Sequence, residues 1–253
     1  MVTSHKGGIG KSTIASNLAM TLARRGRKTL IIDCDFGNRC LDLLLGCEDG
    51  VIFDIYDVCE NKTPLEKAIL NNNFERNLCF CAAPYQPRGV LSRKGFEEAV
   101  VYAKETLGFE YVIIDVPASL SDIFEAVAPA ADRAIIVASH SPAAIRAASK
   151  TDRLVRELGI EDTKLVINSF DKDGCLYKDR TSILEIIDKT YVGLIGIVPY
   201  DEKAMKAQEK GYLAYEVKGA NSAAAYENIA KRIEGKDVPL LEGVVKKRRK
   251  LWN

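Results

Sequence analysis

The chain has 253 residues, which allows one large α/β domain or two small ones, and its 47% hydrophobic and 28% charged residues are typical of a globular protein. This composition excludes wholesale disorder and fibrous repeats. Charge-free stretches are far shorter than the roughly 18 apolar residues of a membrane-spanning helix. We expect no secretory signal, because Lys6, Gly7, Gly8 and Lys11 interrupt the apolar start.

The net charge of +1 hides an asymmetry between the body of the chain and its end. Residues 246–250 are five consecutive cations, and the remaining chain has a net charge of −4. The weakly acidic body argues against broad binding to nucleic acid, whereas the basic tail favours an anionic surface.

The seven cysteines are irregularly spaced, which in a chain without an export signal predicts reduced thiols in the cytoplasm. Cys79 and Cys81 lie on the same face of a predicted strand, and we expect them to pack as small buried side chains. A metal site is the alternative, but no CxxC pair or nearby histidine supports it.

Short β-branched runs alternate with amphipathic segments of helix length, which predicts an α/β fold with a mostly parallel, twisted sheet flanked by helices. In chain order the predicted elements are strand 1–3, helix 11–25, strand 29–33, helix 64–70, strand 78–82, helix 94–107, strands 111–115 and 133–138, helix 143–158, strand 164–168, helix 179–188, strand 194–198 and helix 222–234.

Local residues predict where several of these elements begin and end. Thr63 and Ser92 are expected N-caps, and Gly26 and Gly159 are expected at left-handed helix ends. The first strand is short for the centre of a sheet, so we expect the true amino terminus to lie upstream. We predict one domain over residues 1–236 and an appended tail over residues 237–253.

A glycine-rich segment, Ser-His-Lys-Gly-Gly-Ile-Gly-Lys-Ser-Thr at residues 4–13, lies between the first strand and the first helix. This is the setting in which backbone N–H groups wrap phosphates, and Gly7, Gly8, Ile9 and Gly10 form the turn. Lys11 is placed to reach the β- and γ-phosphates. The neighbouring hydroxyls then have separate roles, Ser12 on Mg²⁺ and Thr13 on the α-phosphate. A glycine-rich turn with two solvated lysines is the alternative.

The segment departs from the general phosphate-loop pattern because His5 occupies its first glycine position and Lys6 adds a second lysine. With that doubled lysine it resembles the deviant Walker A loop of the ParA/MinD group of P-loop ATPases. The resemblance implies a P-loop NTPase of the SIMIBI type that binds ATP and Mg²⁺, dimerises with ATP and hydrolyses it slowly. It also implies that Lys6 reaches the phosphates held by the partner protomer.

Carboxylates follow two of the apolar strands, at the sheet edge where ligands bind in such folds. The resemblance implies that Asp35 positions the attacking water, that Asp33 lies near the metal and that Asp115 holds Mg²⁺ through water. Ordinary turn residues at strand ends are the alternative for Asp33 and Asp115.

The sequence indicates the residues that recognise adenine less specifically than the residues that bind phosphate. The resemblance assigns it to Asn168 and to the backbone after Val198, at Pro199 and Asp201. An asparagine amide is able to pair with a base edge, but asparagine at a strand end is also a common turn former.

Similarity extends over nearly the whole chain and is greatest to the MinD branch of the group, which places the division site. That branch usually has Gly at position 5, Leu at 38, Asn at 40 and Gly at 119, whereas this chain has His5, Asn38, Cys40 and Ser119. The resemblance implies division-site protein partners of the MinC and MinE kind. The alternatives are an ATPase that positions DNA, another cargo or a flagellum, and a metal-insertion ATPase.

The tail resembles the amphipathic membrane anchor of that branch, which implies peripheral attachment to anionic lipids on the inner face of the membrane. A solvated basic tail and a nucleic-acid contact are the alternatives. The predicted anchor residues are Leu241, Val244, Val245, Lys246, Lys247, Arg248, Arg249, Lys250, Leu251 and Trp252.

Overall fold

The computed structural model describes residues 1–36, 38–86, 88–118, 121–171 and 181–244. In this part of the chain, eight strands form one sheet in the order β3-β4-β2-β5-β1-β6-β7-β8, and every pairing is parallel except that of β3 with β4. The strands are β1 Val2–Thr3, β2 Thr29–Asp33, β3 Ile69–Asn71, β4 Leu78–Cys81, β5 Tyr111–Asp115, β6 Arg133–Ala138, β7 Asp162–Phe170 and β8 Leu194–Pro199.

Helices cover both faces of the sheet. Helices α1 and α10 pack on one face, and α3, α5, α6, α7 and α8 cover the other. The helices are α1 Lys11–Arg24, α2 Leu41–Leu45, α3 Ile55–Cys59, α4 Leu65–Ala68, α5 Arg93–Glu105, α6 Asp122–Val127, α7 Pro142–Glu157, α8 Ile183–Thr190, α9 Glu202–Gln208 and α10 Ser222–Ile233. None of the helices in the described ranges is both long and apolar enough to cross a membrane.

The strands are continuously apolar because both of their faces are buried. In β2, Leu30 and Ile32 pack in the core beneath α5, whereas Ile31 points to the opposite core beneath α1. All three side chains are fully buried. This arrangement explains why the sequence shows runs of β-branched residues and not the alternation of a one-sided sheet, and it confirms the predicted fold class.

Most predicted elements are confirmed, but two helices and one cap are not as predicted. The helix expected at 64–70 is only α4, and its last residues form β3, which pairs antiparallel with β4. Thr63 does not cap α4, since its hydroxyl has no hydrogen-bond partner among the described residues. The helix expected at 179–188 is α8, which Ser182 caps, and residues 172–180 lie outside the described ranges.

The other capping predictions are confirmed. Ser92 accepts a hydrogen bond from the N–H of Gly95 at the start of α5. Gly26 and Gly159 have φ angles of 85° and 93°, the left-handed conformation that lets a helix end there.

The first part of the predicted tail belongs to the folded domain. Its backbone runs back along α10, where Arg232 donates to the carbonyl of Val238 and Asn228 donates to that of Glu242. Val244 is 5% exposed and packs in the core beneath α1 and α10. We call residues 237–244 the strap, and the domain boundary after residue 236 is therefore drawn too early.

The predicted packing of the paired cysteines is confirmed. Cys79 and Cys81 are 6% and 0% exposed and belong to the same core cluster. Burial raises the pKa of the Cys79 thiol above its ordinary value, which keeps it protonated.

The close approach of α10 to β8 depends on a residue without a side chain. A Cβ atom on Gly196 would lie 2.2 Å from Cγ1 of the fully buried Ile229. We expect Gly196→Ala to lower the free energy of unfolding by about 1–3 kcal/mol, the usual cost of overpacking a core. Urea unfolding measures this change.

The matched control is Gly193→Ala, because a Cβ atom there meets no other atom within 4 Å. Ile229→Ala removes both clashing atoms, Cγ1 and Cδ1, so the Gly196→Ala/Ile229→Ala double variant should lose less stability than the sum of the two single variants. Equal effects of Gly196→Ala and Gly193→Ala would contradict the packing argument.

Candidate nucleotide site

The glycine-rich loop connects β1 to α1 at the carboxyl edge of the sheet. Gly8 and Gly10 have φ angles of 68° and 94°, which favour glycine, and Gly10 is the N-cap of α1. A Cβ atom on Gly10 would lie 2.3 Å from Nδ2 of Asn168. The loop therefore has a fixed path that only this glycine pattern permits.

Asn168, at the end region of β7, holds this loop directly. Its Nδ2 donates to the carbonyl of Ile9 at 2.8 Å, and its side chain is 8% exposed. The residue predicted to read the base is thus also a clamp on the phosphate loop. Turn formation, the alternative for Asn168, does not describe this contact.

A cavity of about 390 Å³ opens between the loop and the ends of β7 and β8. Asn168, Pro199 and Asp201, which were predicted from three separate segments, all line it together with Gly10 and Thr13. A nucleoside is of a size to fit such a cavity.

Asp201 fixes the outer wall of this cavity. Its carboxylate accepts from the N–H of Ala204, where it caps α9, and from the N–H and hydroxyl of Ser222 at the start of α10. Burial alone would raise the pKa of Asp201, but these hydrogen bonds outweigh it and lower the pKa below its ordinary value. Asp201 therefore stays ionised and ties two helices together.

Two further side chains at the site were not found by sequence reasoning. Gln208 of α9 donates to the hydroxyl of Thr13 at 2.8 Å. Asn17 of α1 donates to the carbonyl of Thr13 and accepts from the N–H of Ala214 at 2.8 Å. Helix α9 has no buried residues and so has no apolar periodicity, but Asp201 before it is a recognisable N-cap.

Two carboxylates lie side by side beneath the loop. Asp33 and Asp115 are register partners on β2 and β5, and both are fully buried. Burial, and then the Asp115 charge, raises the pKa of Asp33 to about 8. Burial raises the pKa of Asp115 to about 7, although the nearby Ser12 hydroxyl and Lys11 ammonium counter this in part.

The two carboxylates differ in what they contact. Asp33 accepts from the N–H groups of Asp35 and Leu41, so it braces the segment that follows β2. Neither oxygen of Asp115 has a hydrogen-bond partner among the described residues. An unpartnered buried carboxylate beside a hydroxyl is a donor set that fits Mg²⁺ or its bound water.

A second cavity of about 970 Å³ adjoins the first through Gly10 and Thr13. Lys11, Ser12 and Asp35 line it, and Lys11 is only 7% exposed. Lys11, Ser12 and Asp35, predicted for phosphate, metal and water, thus share one space, whereas Asp33 and Asp115 do not line it.

Two of the unusual residues, Cys40 and Asn38, line that space, whereas His5 is held by α7. Cys40 lines the second cavity, and burial raises the pKa of its thiol to about 11. Asn38 is exposed at the same opening. The N–H of His5 donates to the hydroxyl of Thr151 on α7, and burial lowers the pKa of its imidazole. Ser119 lies outside the described residues.

Lys6 does not point at its own phosphate loop. Its Nζ donates to the hydroxyl of Ser141, the N-cap of α7, at 3.1 Å. Its amine is therefore held at the outer face of the site, next to the positive end of a helix dipole, where a cation gains little.

The tail prediction is only partly within the described chain. Leu241 and Val244, two of the predicted anchor residues, pack against the domain core as parts of the strap, and their contact with a membrane stays a prediction. The other predicted anchor residues, Val245 to Trp252, lie outside the described residues.

Comparison with known proteins identifies the family. The family model described as "ParA: NUBPL iron-transfer P-loop NTPase" matches residues 1–234. The septum site-determining protein MinD of Synechocystis is 36% identical over 245 residues, which are 96% of this chain and 91% of that protein. MinD of Bacillus subtilis is 33% identical over 244 residues, 95% of this chain and 90% of that protein.

Solved structures agree with this assignment. The MinC:MinD cell division protein complex of Aquifex aeolicus matches with a TM-score of 0.88 and 28% identity, over 94% of this chain and 96% of that one. MinD of Pyrococcus horikoshii, solved with Mg-ADP, matches in fold with a TM-score of 0.82 and 24% identity, over 92% and 94% of the two chains. The chain belongs to the MinD septum site-determining group within the ParA family of P-loop ATPases.

Proposed function

We propose that the protein is a nucleotide-controlled switch in division-site placement. It binds Mg-ATP, dimerises, attaches to the inner face of the cell membrane through its basic tail, and leaves the membrane after slow hydrolysis of ATP. The observation that supports this most is the meeting, at one sheet edge, of a phosphate loop, the unpartnered carboxylate of Asp115 and a cavity of nucleoside size.

Phosphate and metal binding follow from the positions of three side chains. The glycine-rich loop offers N–H groups to the phosphates, and Lys11 supplies a nearly buried positive charge. Ser12 and Asp115 would hold Mg²⁺, which neutralises charge on the phosphate oxygens when it is bound. Asp33 acts by bracing the segment from Asp35 to Leu41, and its predicted place near the metal stays a prediction.

Base binding is assigned to the first cavity. Asn168 holds the phosphate loop with one amide hydrogen, and its amide group borders the space that Pro199 and Asp201 close. The base would therefore be bound by Asn168, the same side chain that holds the phosphate loop. Thr13, held by Gln208, lies between that cavity and the phosphate space.

Hydrolysis requires a second protomer in this proposal. Asp35 borders the phosphate space and would orient the attacking water. Lys6 is held by Ser141 at the outer face, where a partner's nucleotide would be within its reach in a dimer. A cation on the transferring oxygens stabilises the charge that develops there.

Membrane attachment follows from where the strap leads. The strap runs from the end of α10 back to its first turn, where Gly243 lies beside Ala224. Ser222 and Tyr226 of the same region line the first cavity, so the strap that precedes the basic tail lies on the helix that borders this cavity. Each basic residue near an anionic leaflet contributes about 1 kcal/mol, and a dimer would present two tails at once.

The comparisons bear on the protein partner of this chain and on one alternative function. The Aquifex relative is solved as a MinC:MinD complex, which supports a MinC-like partner for this chain. The family model is described as an iron-transfer NTPase, which corresponds to the alternative function of a metal-insertion ATPase. Cys79 and Cys81, which that rival would need at a surface, are in the core, and the described residues contain no group of three or more metal-binding side chains.

The metal role of Asp115 is tested with Asp115→Asn. Because the carboxylate is buried without a partner, its replacement should not destabilise the nucleotide-free protein. Saturating ligand at about 100 times its Kd adds about 2.7 kcal/mol of stability, and we expect the Mg²⁺-dependent part of this gain to be lost. Melting with ATP, with and without Mg²⁺, measures it; Asp237→Asn, on the exposed strap, is the control.

The two lysines are expected to fail in different steps. Lys11→Ala should abolish ATP binding measured by calorimetry. Lys6→Ala should leave binding intact but lower turnover at high protein concentration by about 10²–10³-fold, the usual cost of removing one transition-state donor. Lys94→Ala, on the exposed face of α5, is the control. Normal turnover of Lys6→Ala would refute the role across the dimer.

Membrane attachment is tested by sedimentation with anionic liposomes in Mg-ATP and in Mg-ADP. We expect the full chain to pellet only with Mg-ATP, and a chain ending at Val244 to remain in solution with an unchanged melting temperature, because the strap is kept. Replacing all five cations of residues 246–250 with glutamine separates charge from the apolar residues of the tail. ATP-dependent binding to nonspecific DNA without liposome binding would favour the DNA-positioning rival.

A further inference from the structure

Thr13 lies where the two cavities of the site meet. It belongs to the first turn of α1, and it lines both the cavity of nucleoside size and the phosphate space. A nucleotide that occupies both cavities has its first phosphate at this junction, between the ribose and the remaining phosphates. The direction in which the Thr13 hydroxyl points its hydrogen therefore bears on how well that phosphate is bound.

A hydroxyl in a helix usually donates to the carbonyl one turn earlier. Thr21 of the same helix does so, since its hydroxyl donates to the carbonyl of Asn17 at 2.7 Å. For Thr13 the equivalent carbonyl is that of Ile9, which instead accepts from the side chain of Asn168. Among the described residues, Thr13 makes no bond of this helical kind.

Gln208 sets the direction of the Thr13 hydroxyl. Its Nε2 donates to Oγ1 of Thr13 at 2.8 Å. A hydroxyl oxygen that accepts a hydrogen bond keeps its own hydrogen for another direction. The hydroxyl is thus an acceptor on the side of Gln208, and its hydrogen is left for the cavities. Phosphate oxygens are acceptors, so this orientation suits a phosphate.

Gln208 reaches Thr13 from the helix that forms the outer wall of the nucleoside cavity. It is the last residue of α9, and Ala204 and Met205 of the same helix also line that cavity. The first end of α9 is fixed by its cap, Asp201, and the last end is fixed to α1 by the bond to Thr13. Helix α9 has no buried residues, so core packing does not explain where Gln208 lies.

A second amide fixes the backbone around this bond. Asn17 donates to the carbonyl of Thr13 and accepts from the N–H of Ala214, in the segment that follows α9. The same turn of α1 is therefore tied to α9 through the hydroxyl of Thr13 and to the next segment through its carbonyl. These bonds hold the Gln208 amide at bonding distance from Thr13.

We infer that Gln208 is a positioning residue for nucleotide binding: it holds the Thr13 hydroxyl as an acceptor, so that this hydroxyl donates to the first phosphate. The inference rests on the proposed function, because it requires a nucleotide in the two cavities. Hydrogen bonds to a charged oxygen are about twice as strong as those between neutral groups. Gln208 therefore favours a nucleoside that carries a 5′-phosphate over the free nucleoside, without touching the phosphate itself.

The test is a double-mutant cycle on the affinity for Mg-ADP, measured by calorimetry. It compares the unchanged chain, Gln208→Leu, Thr13→Val and the double variant, in which side chains of similar size lack the hydrogen bonds. We expect Gln208→Leu to weaken ADP binding about 3- to 10-fold, the range of one hydrogen bond. In the presence of Thr13→Val the same change should have less than about a twofold effect, because the hydroxyl that Gln208 orients is absent. Independent effects of the two changes would overturn the inference.

Gln208→Glu tests the direction of the bond. A carboxylate only accepts, so the Thr13 hydroxyl would donate to it and no longer to the phosphate. Its negative charge would also lie beside the phosphates. We expect this variant to bind ADP more weakly than Gln208→Leu does. Binding of ADP by Gln208→Glu as tight as by the unchanged chain would mean that the amide accepts from Thr13, and it would overturn the inference.

Adenosine separates the phosphate from the rest of the ligand. Its affinity, measured by NMR titration, should change less than about twofold in Gln208→Leu, because adenosine offers no phosphate to the Thr13 hydrogen. Equal losses of adenosine and ADP binding would assign Gln208 to the wall of the cavity and overturn the positioning role.

The matched control is Lys206→Gln, which breaks an exposed ion pair with Glu202 on the outer side of α9. It should bind ADP like the unchanged chain, and the nucleotide-free variants should share one melting temperature. A loss of ADP binding in Lys206→Gln as large as in Gln208→Leu would trace both losses to disturbance of the helix and overturn the inference.

The two levels of the argument fail in different ways. An unchanged chain that does not bind ADP would contradict the proposed function and the inference together. An unchanged chain that binds ADP, with no coupling between Gln208 and Thr13, would overturn the inference alone.

Discussion

The rest of the site depends on the burial of two carboxylates in register on neighbouring strands. Asp33 and Asp115 have no access to water, and their charges oppose each other. Asp33 accepts hydrogen bonds from two N–H groups. For Asp115, the Ser12 hydroxyl and the Lys11 ammonium counter the effect of burial only in part. The N–H groups bound by Asp33 belong to the segment from Asp35 to Leu41, so Asp33 fixes the backbone of the residue that borders the phosphate space.

A second consequence concerns the wall of the nucleotide cavity. Three amide side chains, those of Asn168, Gln208 and Asn17, connect the phosphate loop and α1 to β7, α9 and the segment before α10. Asp201 then ties α9 to the first turn of α10. The strap packs on that same helix, α10, through Asn228 and Arg232. Side-chain contacts therefore run without a break from the phosphate loop through α9 and α10 to the strap.

The sequence predicts the parts of the fold that repeat a strong pattern and misses those set by tertiary contacts. Apolar runs, such as those that contain Ile31 and Ile113, predict seven of the eight strands of the described sheet. The spacing of the glycines predicts the phosphate loop. Strand β3 was read as the end of a helix because Ile69 and Leu70 suit either structure, and only pairing with β4 decides between them. Gln208 was missed because its helix lies on the surface, and Val244 was assigned to a membrane because its apolar character does not say which apolar surface it meets.

The shortness of β1 changes how the phosphate loop is supported. In a long central strand, backbone bonds on both sides would fix the direction in which the loop leaves the sheet. Here β1 ends after Thr3, and the loop is held from outside: the N–H of His5 donates to Thr151 and the carbonyl of Ile9 accepts from Asn168. The path of the loop is therefore set by a strand on one side, β7 through Asn168, and by a helix on the other, α7 through Thr151. Only the first of these two residues borders the cavity of nucleoside size, so a ligand in that cavity would lie against one support of the loop and leave the other untouched.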